Sequence, residues 1–246
     1  MKLLSYNIRF GGRGRERLLA EVVRAVAPDL VVFQEASDPR VVEQLARATD
    51  MPYCAARPAH SIAYMSRVRV ARHAWQRPPG ATHSYMALEL AGGGRVFGLH
   101  LSARFSKWRE RRRHHEIRVL LEGIAAHRAA PHVLVGDFNT LAPGELLDVR
   151  RMPHWIRALV WLSGRDIQRD TIRHMLDEGY ADGYRHLYPA DKGYTFPVWD
   201  PHLRLDYVFL PTPHVARLRA CRVVTTPDLV TRASDHYPLL AELDLA

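Results

Sequence analysis

Short apolar runs alternate with helical patterns along this chain, and that alternation limits the fold more than any other feature of the sequence. Residues 30–33 read Leu-Val-Val-Phe, a run that is typical of a strand buried in a sheet. Before this run, apolar residues recur at helical spacing from Leu18 to Val26, and Pro28 ends the pattern. Strands that alternate with helices predict an α/β domain.

The predicted elements follow one another without an internal repeat, a low-complexity tract or a Gly/Ser-rich linker. A chain of 246 residues can form one core, so we predict a single domain over residues 1–246. We predict one strand that starts at the first residue and further strands at residues 30–33, 62–65, 86–90, 96–101, 133–136, 205–210 and 239–243. Further helices are predicted at residues 41–48, 117–127 and 169–178.

Neither the cysteines nor the apolar stretches indicate export or membrane insertion. Cys54 and Cys221 are far apart and belong to no zinc-binding pattern, so we expect both to be reduced. The first residues predict a strand rather than a secretory leader, and the longest apolar stretches are far shorter than the roughly 20 residues that span a bilayer. We therefore expect a cytoplasmic, monomeric protein without a transmembrane segment.

The net charge of +9 is concentrated in two segments of the chain. Residues 104–118 carry seven basic and two acidic side chains, and residues 150–173 carry six basic and two acidic ones. Clustered cations suit a polyanionic partner such as nucleic acid, anionic lipid or a phosphorylated small molecule. A solvated, Arg-rich helix face explains the clusters equally well.

Polar side chains that could take part in catalysis or metal binding lie at the ends of the predicted strands. They are Asn7, Glu35, His100 and Asp137, which end or follow a strand, and Asp235 and His236, which precede the last one. Strand ends can bring such side chains to one rim of a sheet, where α/β proteins commonly build their sites. Taken singly, a carboxylate at the end of a strand is more often a cap or part of a surface ion pair than a ligand.

The residue types suit phosphate chemistry assisted by a metal ion. Mg²⁺ takes few protein oxygens, so one or two carboxylates and an amide oxygen form a suitable ligand set. The sequence has no zinc-like cage of His and Cys. Phosphoester hydrolysis also needs a base and a cationic donor to the phosphoryl oxygens. Asp137 could act as the base and His236 as the donor, with Asp206 orienting the imidazole.

Six short segments occur in the order and spacing of successive strands. They are Ser5-Tyr6-Asn7, Gln34-Glu35, Leu99-His100-Leu101, Gly136-Asp137-Phe138-Asn139, Arg204-Leu205-Asp206-Tyr207 and Ser234-Asp235-His236-Tyr237-Pro238. Together they resemble the endonuclease/exonuclease/phosphatase superfamily of metal-dependent phosphoesterases, from residue 4 to residue 240. This resemblance implies a four-layer α/β/β/α sandwich, in which two mixed sheets are flanked by helices.

The resemblance also implies which residues bind the metal and activate water. Asn7, Glu35 and Asp235 match residues that hold Mg²⁺ or Mn²⁺ in the family. Asp137 matches the residue that positions or deprotonates the attacking water, and Asn139 matches one that helps to hold that group and the phosphate.

Two histidines are expected to contact the phosphate. His236, oriented by Asp206, matches the residue that stabilises the phosphoryl oxygens. His100 matches a histidine in the deoxyribonucleases, phosphodiesterases, sphingomyelinases and deadenylase-like members. The sequence departs from the family at His60 and Ser61, where many members have a Gly-Asn pair, so no substrate contact is implied for that loop.

The basic segment after His100 favours a nuclease or a nucleotide phosphodiesterase. In residues 104–113, Arg and Lys side chains are interspersed with Phe105 and Trp108. Cations that bind phosphates and aromatic rings that stack on bases are the means by which proteins hold single strands. We predict substrate contacts from four residues: Arg13, Arg104, Arg111 and Thr195. Thr195 is included because it belongs to a loop that lies near the site in relatives.

The alternative is a phosphoesterase that acts on phospholipid, phosphoinositide or sphingomyelin at an anionic membrane surface. In residues 153–162, Trp155, Leu159 and Leu162 recur at helical spacing beside basic residues, as in an interfacial helix. An ordinary amphipathic helix packed on its own domain explains this pattern as well. A catalytically inactive binding module is disfavoured, because no expected catalytic position is replaced.

Overall fold

The computed structural model describes residues 1–151, 154, 157–158, 161 and 168–245. The strands in this part are β1 (Lys2–Asn7), β2 (Leu30–Gln34), β3 (Tyr53–Ala55), β4 (Ala63–Ser66), β5 (Val70–Gln76), β6 (Tyr85–Leu90), β7 (Arg95–His100), β8 (His132–Asp137), β9 (Tyr180–Asp182), β10 (Asp206–Pro211), β11 (Leu218–Val223) and β12 (Leu239–Leu243). The helices are α1 (Glu16–Val26), α2 (Pro39–Ala48), α3 (Lys107–Gly123), α4 (Asp170–Asp177), α5 (Gly183–Leu187) and α6 (Val230–Ala233).

The strands form two mixed sheets of six. The first sheet has the order β11-β12-β1-β2-β4-β3, and the second has the order β5-β6-β7-β8-β10-β9. One pair at the centre of each sheet is parallel, namely β1 with β2 and β7 with β8. Parallel strands end at the same edge of their sheet, so Asn7 lies opposite Gln34 and His100 lies opposite Asp137. Asp206, which begins the antiparallel strand β10, also pairs with Asp137.

The two sheets pack face to face, and helices cover their outer faces. Side chains alternate along β1, as expected for a strand with period 2. Leu3 packs between the sheets with Val133 of β8, whereas Leu4 packs against Leu19 of α1. Helices α1, α2 and α6 cover the first sheet, and α3 and α4 cover the second. The expected α/β/β/α sandwich of two mixed sheets is confirmed.

Helix α3 begins ten residues before the predicted start at residue 117. Ser106 caps it, since its Oγ accepts a hydrogen bond of 3.3 Å from the backbone N–H of Arg109. The basic segment is therefore helical from Lys107 onward, and Gly123 is the last residue of the helix. Residues 125–127 form a separate turn of 3₁₀ helix.

Two further predictions from the sequence can be compared with the structure, and a third cannot. Cys54 and Cys221 are both free thiols, half-buried and buried respectively. Within the described residues, no helix is both long and apolar enough to cross a membrane. Trp155, Leu159 and Leu162, on which the lipid alternative depends, lie outside the described residues.

Candidate active site

A buried carboxylate ends β8. The side chain of Asp137 is 2% exposed, and its Oδ1 accepts a hydrogen bond of 2.9 Å from the backbone N–H of Asn139. Gly136 allows β8 to lie close to β7, because a Cβ there would be 2.0 Å from the carbonyl oxygen of Leu99. The side-chain amide of Asn139 donates to the carbonyl oxygen of Leu101 at 3.0 Å. Asn139 therefore fixes Asp137 against the end of β7.

An amide at the end of β1 joins carboxylates from both sheets. The Nδ2 of Asn7 donates to Oδ2 of Asp137 at 3.0 Å and lies 3.3 Å from Oε1 of Glu35. The backbone N–H of Arg9 donates to the Oδ1 of Asn7 at 3.0 Å, and that of Phe10 donates to Oε2 of Glu35 at 2.7 Å. Two acidic oxygens thus converge on one point between the sheets.

The backbone around Glu35 is strained. Arg9, Phe10 and Glu35 have φ values of 48°, 49° and 57°, in the left-handed region that side chains other than glycine rarely adopt. Asn139 has a φ of 52°. Such residues cost about 1–3 kcal/mol each and cluster at functional sites, where the surrounding structure holds them in place.

Asp235 lies at the same edge and is paired with an arginine. Its Oδ2 is 3.3 Å from Nε of Arg9. The neighbouring Ser234 donates from its hydroxyl to the carbonyl oxygen of Asn7 at 2.6 Å, which ties this segment to the end of β1. Within the described residues, no hydrogen bond or ion pair joins Asp235 to Asn7 or Glu35.

His236 and Asp206 form a buried pair. Nδ1 of His236 is 2.9 Å from Oδ2 of Asp206, and the carboxylate can only accept, so Nδ1 carries a proton. Nε2 of His236 is 3.8 Å from Oδ2 of Asp137. Burial disfavours the imidazolium, but the carboxylates of Asp206 and Asp137 outweigh burial and raise the pKa of His236 to about 10. Burial also raises the pKa of Asp137, and Asp206 acts in the same direction.

His100 approaches Asp137 in another way. Its Nε2 is 3.8 Å from Oδ2 of Asp137, and its Nδ1 is hydrogen bonded to the hydroxyl of Ser61. That hydroxyl accepts from the backbone N–H of Glu35 at 3.2 Å and has one proton that it can donate to Nδ1. We assign the proton of His100 to Nε2, because Nε2 is the ring nitrogen that faces the carboxylate of Asp137. Burial, with His83 and His236 nearby, lowers the pKa of His100 to about 3.

The sequence matches the model of the Endonuclease/Exonuclease/phosphatase family over residues 4–236. The chain belongs to this family. The resemblance inferred from the six segments is confirmed. Members of the family are hydrolases that act on phosphoester bonds. A comparison with curated proteins finds no match.

Solved structures with the same fold include nucleases and a phosphatase. An AP endonuclease from Archaeoglobus fulgidus has a TM-score of 0.77 and 18% identity, with 99% of each chain covered. The 3'-5' exonuclease NExo from Neisseria meningitidis has a TM-score of 0.74 and 20% identity, covering 99% of this chain and 100% of that one. A Neisseria 3' phosphatase, also NExo, bound to a product DNA hairpin, has a TM-score of 0.75 and 19% identity, with 99% of each chain covered. At these identities the likeness shows the fold alone.

The four residues predicted to contact substrate in this family member lie in different surroundings. Arg104 and Arg111 are exposed. Arg13 is exposed and its Nε is 2.7 Å from Oδ2 of Asp38. Thr195 is fully buried, and its Oγ1 accepts from the backbone N–H groups of Leu205 and Asp206 at 3.1 and 3.4 Å. These contacts fix the start of β10, and hence Asp206.

One arginine of the basic segment is turned inward. The side chain of Arg113 is 1% exposed, and its Nη2 is 2.7 Å from Oε2 of Glu110. Its Nη1 donates to the carbonyl oxygens of Ser102 and Arg104 at 2.7 and 2.9 Å. This charge supports the loop between β7 and α3, and it is not available to a polyanionic partner.

Sequence reasoning missed the side chains that support the two histidines. In the sequence Ser61 is only a departure from the family pattern, whereas in the structure it contacts both His100 and Glu35. Phe196 packs on the ring of His236 with 4.7 Å between centroids. A small polar residue before a strand and a single aromatic residue give no signal of their own in one sequence.

The donor set fits a hard divalent cation. Within the described residues, one group of His and acidic side chains could hold a metal ion, namely Asp137, Asp206 and His236, whose ligand atoms lie within 4.8 Å of one another. In that group the imidazole and Asp206 are already hydrogen bonded to each other. Glu35 adds carboxylate oxygens close to Asp137, and carboxylates are ligands that Mg²⁺ and Mn²⁺ prefer. Asn7 turns its Nδ2 toward both carboxylates, and its Oδ1 accepts from the backbone N–H of Arg9.

Proposed function

We propose that this protein is a Mg²⁺- or Mn²⁺-dependent phosphoesterase that cleaves nucleic acid or nucleotides. The observation that carries the proposal is the arrangement around Asp137. One of its oxygens lies 3.0 Å from Nδ2 of Asn7 and 3.8 Å from Nε2 of both His236 and His100. A base, a cation and a neutral donor thus meet at one point, as hydrolysis of a phosphoester requires.

Each residue has a distinct task in this proposal. Asp137 accepts a proton from the attacking water, and the imidazolium of His236 donates to a phosphoryl oxygen. Asp206 holds the proton on Nδ1 of His236 and keeps the ring charged. His100 donates from Nε2 to another phosphoryl oxygen. Asn139 holds Asp137 in place through its backbone N–H.

Asn7, Glu35 and Asp235 are the proposed metal ligands. A bound Mg²⁺ or Mn²⁺ would neutralise the charge that develops on the phosphate during hydrolysis. Glu35 is held for this task by the backbone N–H of Phe10 and by the hydroxyl of Ser61. Asp235 would exchange the guanidinium of Arg9 for the metal ion, and the Oδ1 of Asn7 would exchange the backbone N–H of Arg9 for it.

Nucleic acid is the favoured substrate because of the surface at the start of α3. This helix begins seven residues after His100, and the exposed side chains there include Arg104, Lys107, Trp108 and Arg111. Trp108 is 70% exposed, and an exposed aromatic ring among cations suits a strand with phosphates and bases. The DNA hairpin bound to the Neisseria phosphatase is a further reason to choose this class.

The deciding experiment is a hydrolysis panel of single- and double-stranded DNA, RNA, a nucleotide diester, an aryl phosphodiester, an inositol phosphate and sphingomyelin vesicles. Each substrate is assayed with Mg²⁺, with Mn²⁺ and with excess chelator. Asp137→Asn serves as the blank, and Asp177→Asn, an exposed site on α4, is the matched control.

We expect turnover of polynucleotides or nucleotides, which chelator abolishes and either metal restores. Asp137→Asn should lose this activity, and Asp177→Asn should keep it. Full activity in chelator would overturn metal dependence. Turnover confined to vesicles or inositol phosphate would overturn the choice of nucleic acid. Independently of turnover, Glu35→Gln should weaken Mn²⁺ binding measured by calorimetry.

A further inference from the structure

A loop beside the proposed site is fixed against α3. The backbone N–H of Thr82 donates to Oε1 of Glu116 at 2.9 Å. The Oε2 of the same buried carboxylate accepts from the backbone N–H of Ser102 at 3.3 Å. Glu116 therefore orients one face of α3 toward residues 81–84 and toward the segment that directly follows His100.

Two arginines lie on that face of the helix. Arg109, Arg112 and Glu116 are spaced by three and four residues, which places them on one stripe of an α-helix. Elsewhere on α3, Arg113 is paired with Glu110 and Arg118 with Glu122. Within the described residues, neither Arg109 nor Arg112 forms an ion pair. Neither guanidinium is therefore neutralised by an ion pair, although the buried carboxylate of Glu116 lies on the same stripe.

His83 lies between this stripe and the site. Its ring stacks on the ring of His100, with 5.3 Å between centroids and 13° between planes. Its Nδ1 is buried and has no hydrogen-bond partner in the part of the chain that the structure describes. Burial lowers the pKa of His83, and the positive charges of Arg77, Arg112 and Arg109 lower it further against the effect of Glu116. Several cations are therefore close to His83.

We propose that Arg109, Arg112 and His83 form a second phosphate-binding subsite, which holds the phosphodiester next to the scissile one on a polynucleotide. This inference rests on the proposed nuclease function, in which His100 contacts the reacting phosphate. Because the ring of His83 stacks on that of His100, it lies where the next phosphate along a nucleic-acid strand would be. Guanidinium groups bind phosphate oxygens through charge-assisted hydrogen bonds, often two at a time.

The subsite can be tested by changing the protein and the substrate separately. The substrate is an oligonucleotide in which the phosphate next to the cleaved one is replaced by an uncharged methylphosphonate. The protein variant is R109Q/R112Q. Arg118→Gln is the control, because it removes a positive charge from the same helix at a residue paired with Glu122. An aryl phosphodiester, which has one phosphate, reports whether each variant is folded and active.

For the unmodified oligonucleotide we expect the KM of R109Q/R112Q to rise about tenfold to a hundredfold, as for the loss of hydrogen bonds to a charged group. The kcat, and all values for the aryl phosphodiester, should change little. In the wild type, methylphosphonate should raise KM by a similar factor, whereas in R109Q/R112Q it should add almost nothing. The slope of log KM against log salt should also fall by about 0.7 for the lost contact with a single strand.

An equal methylphosphonate penalty in the wild type and in R109Q/R112Q would overturn the subsite. So would a KM increase in Arg118→Gln as large as that in the double variant. In both cases oligonucleotide hydrolysis itself would leave the nuclease proposal standing. If the wild type cleaves the aryl phosphodiester but no oligonucleotide, the nuclease proposal fails, and the subsite fails with it.

Discussion

Two histidines approach the same oxygen of Asp137, and they differ in what their other nitrogen contacts. Nε2 of each ring is 3.8 Å from Oδ2 of Asp137. Nδ1 of His236 faces the carboxylate of Asp206, whereas Nδ1 of His100 faces the hydroxyl of Ser61. The pKa is raised to about 10 in the first ring and lowered to about 3 in the second. Both rings are buried, which disfavours the charged form. Asp206 and Asp137 outweigh burial at His236, whereas His83 and His236 add to the effect of burial at His100.

Both pairs also cross the sandwich. His236 precedes β12 of the first sheet and binds Asp206 of the second, while His100 ends β7 of the second sheet and binds Ser61 beside β4 of the first. The contact between Asn7 and Asp137 crosses in the same way. The geometry of the site therefore depends on how the two sheets pack, and not on one local motif.

The largest expected effect is the loss of the charged histidine. His236→Ala should lower kcat by about 10²- to 10⁴-fold, the range for a positioned proton donor. Asp206→Asn should cost less, because the ring remains. Since groups that act as a unit are not additive, the double variant should be little worse than His236→Ala. Single-turnover assays of the four proteins measure this cycle, and fully additive losses would show independent roles.

The neutral histidine is expected to contribute less. His100→Ala removes one uncharged hydrogen-bond donor to the phosphate, for which a loss of about 10²-fold in kcat is typical. We expect this loss to have the same size at pH 5 and pH 8, because His100 keeps one charge state over that range. Rate measurements at both pH values test this. A loss that appears only at pH 5 would mean that His100 acts as a cation.

The interior of the fold could be predicted from the sequence, and the edges could not. Predicted strands correspond to the four inner strands of each sheet, whereas all four edge strands were missed: β3, β5, β9 and β11. An inner strand is buried between two neighbours and reads as an apolar run. Most residues of β5 are exposed, and β3 and β9 have three residues each, so their sequences lack that signal.

The motifs of the site were visible in the sequence for a similar reason. Gly136 and Asp137 lie in a short segment where local backbone geometry demands particular residues. The contact of Ser61 with His100 spans 39 positions and depends on sheet packing, so no local pattern encodes it. The sequence places Arg113 in the same basic cluster as its neighbours on α3, because composition does not show which side chain turns inward.

A substitution at Ser61 can change the tautomer of His100 while the imidazole ring itself remains in the site. Ser61→Ala removes the donor to Nδ1, so we expect both tautomers of His100 to be populated and kcat to fall about tenfold, as for one lost hydrogen bond. Ser61→Thr keeps the hydroxyl and should therefore keep the wild-type tautomer of His100 and the wild-type kcat. Nitrogen-15 NMR of the imidazole distinguishes Nδ1–H from Nε2–H. An unchanged spectrum in Ser61→Ala would show that the hydroxyl does not set the tautomer.

The smallest effect is in the pH dependence of stability, where the two histidines should act with opposite sign. The ordinary pKa of histidine is about 6.5. Because the folded pKa of His100 is lowered to about 3, the unfolded chain takes up the proton first, and stability is lost as the pH falls from about 6.5 toward 3. Because the pKa of His236 is raised to about 10, its contribution is present below pH 6.5 and is lost as the pH rises toward 10.

The test is the free energy of unfolding of the metal-free protein, measured with urea at several pH values between 4 and 6. Its slope against pH should be smaller in His100→Gln than in the wild type, by at most about 1.4 kcal/mol per pH unit. His186→Gln, at an exposed position on α5, should keep the wild-type slope. If the free energy of unfolding had the same slope against pH in His100→Gln and in the wild type, His100 would not be held neutral by the fold. The two histidines would then differ in position but not in charge.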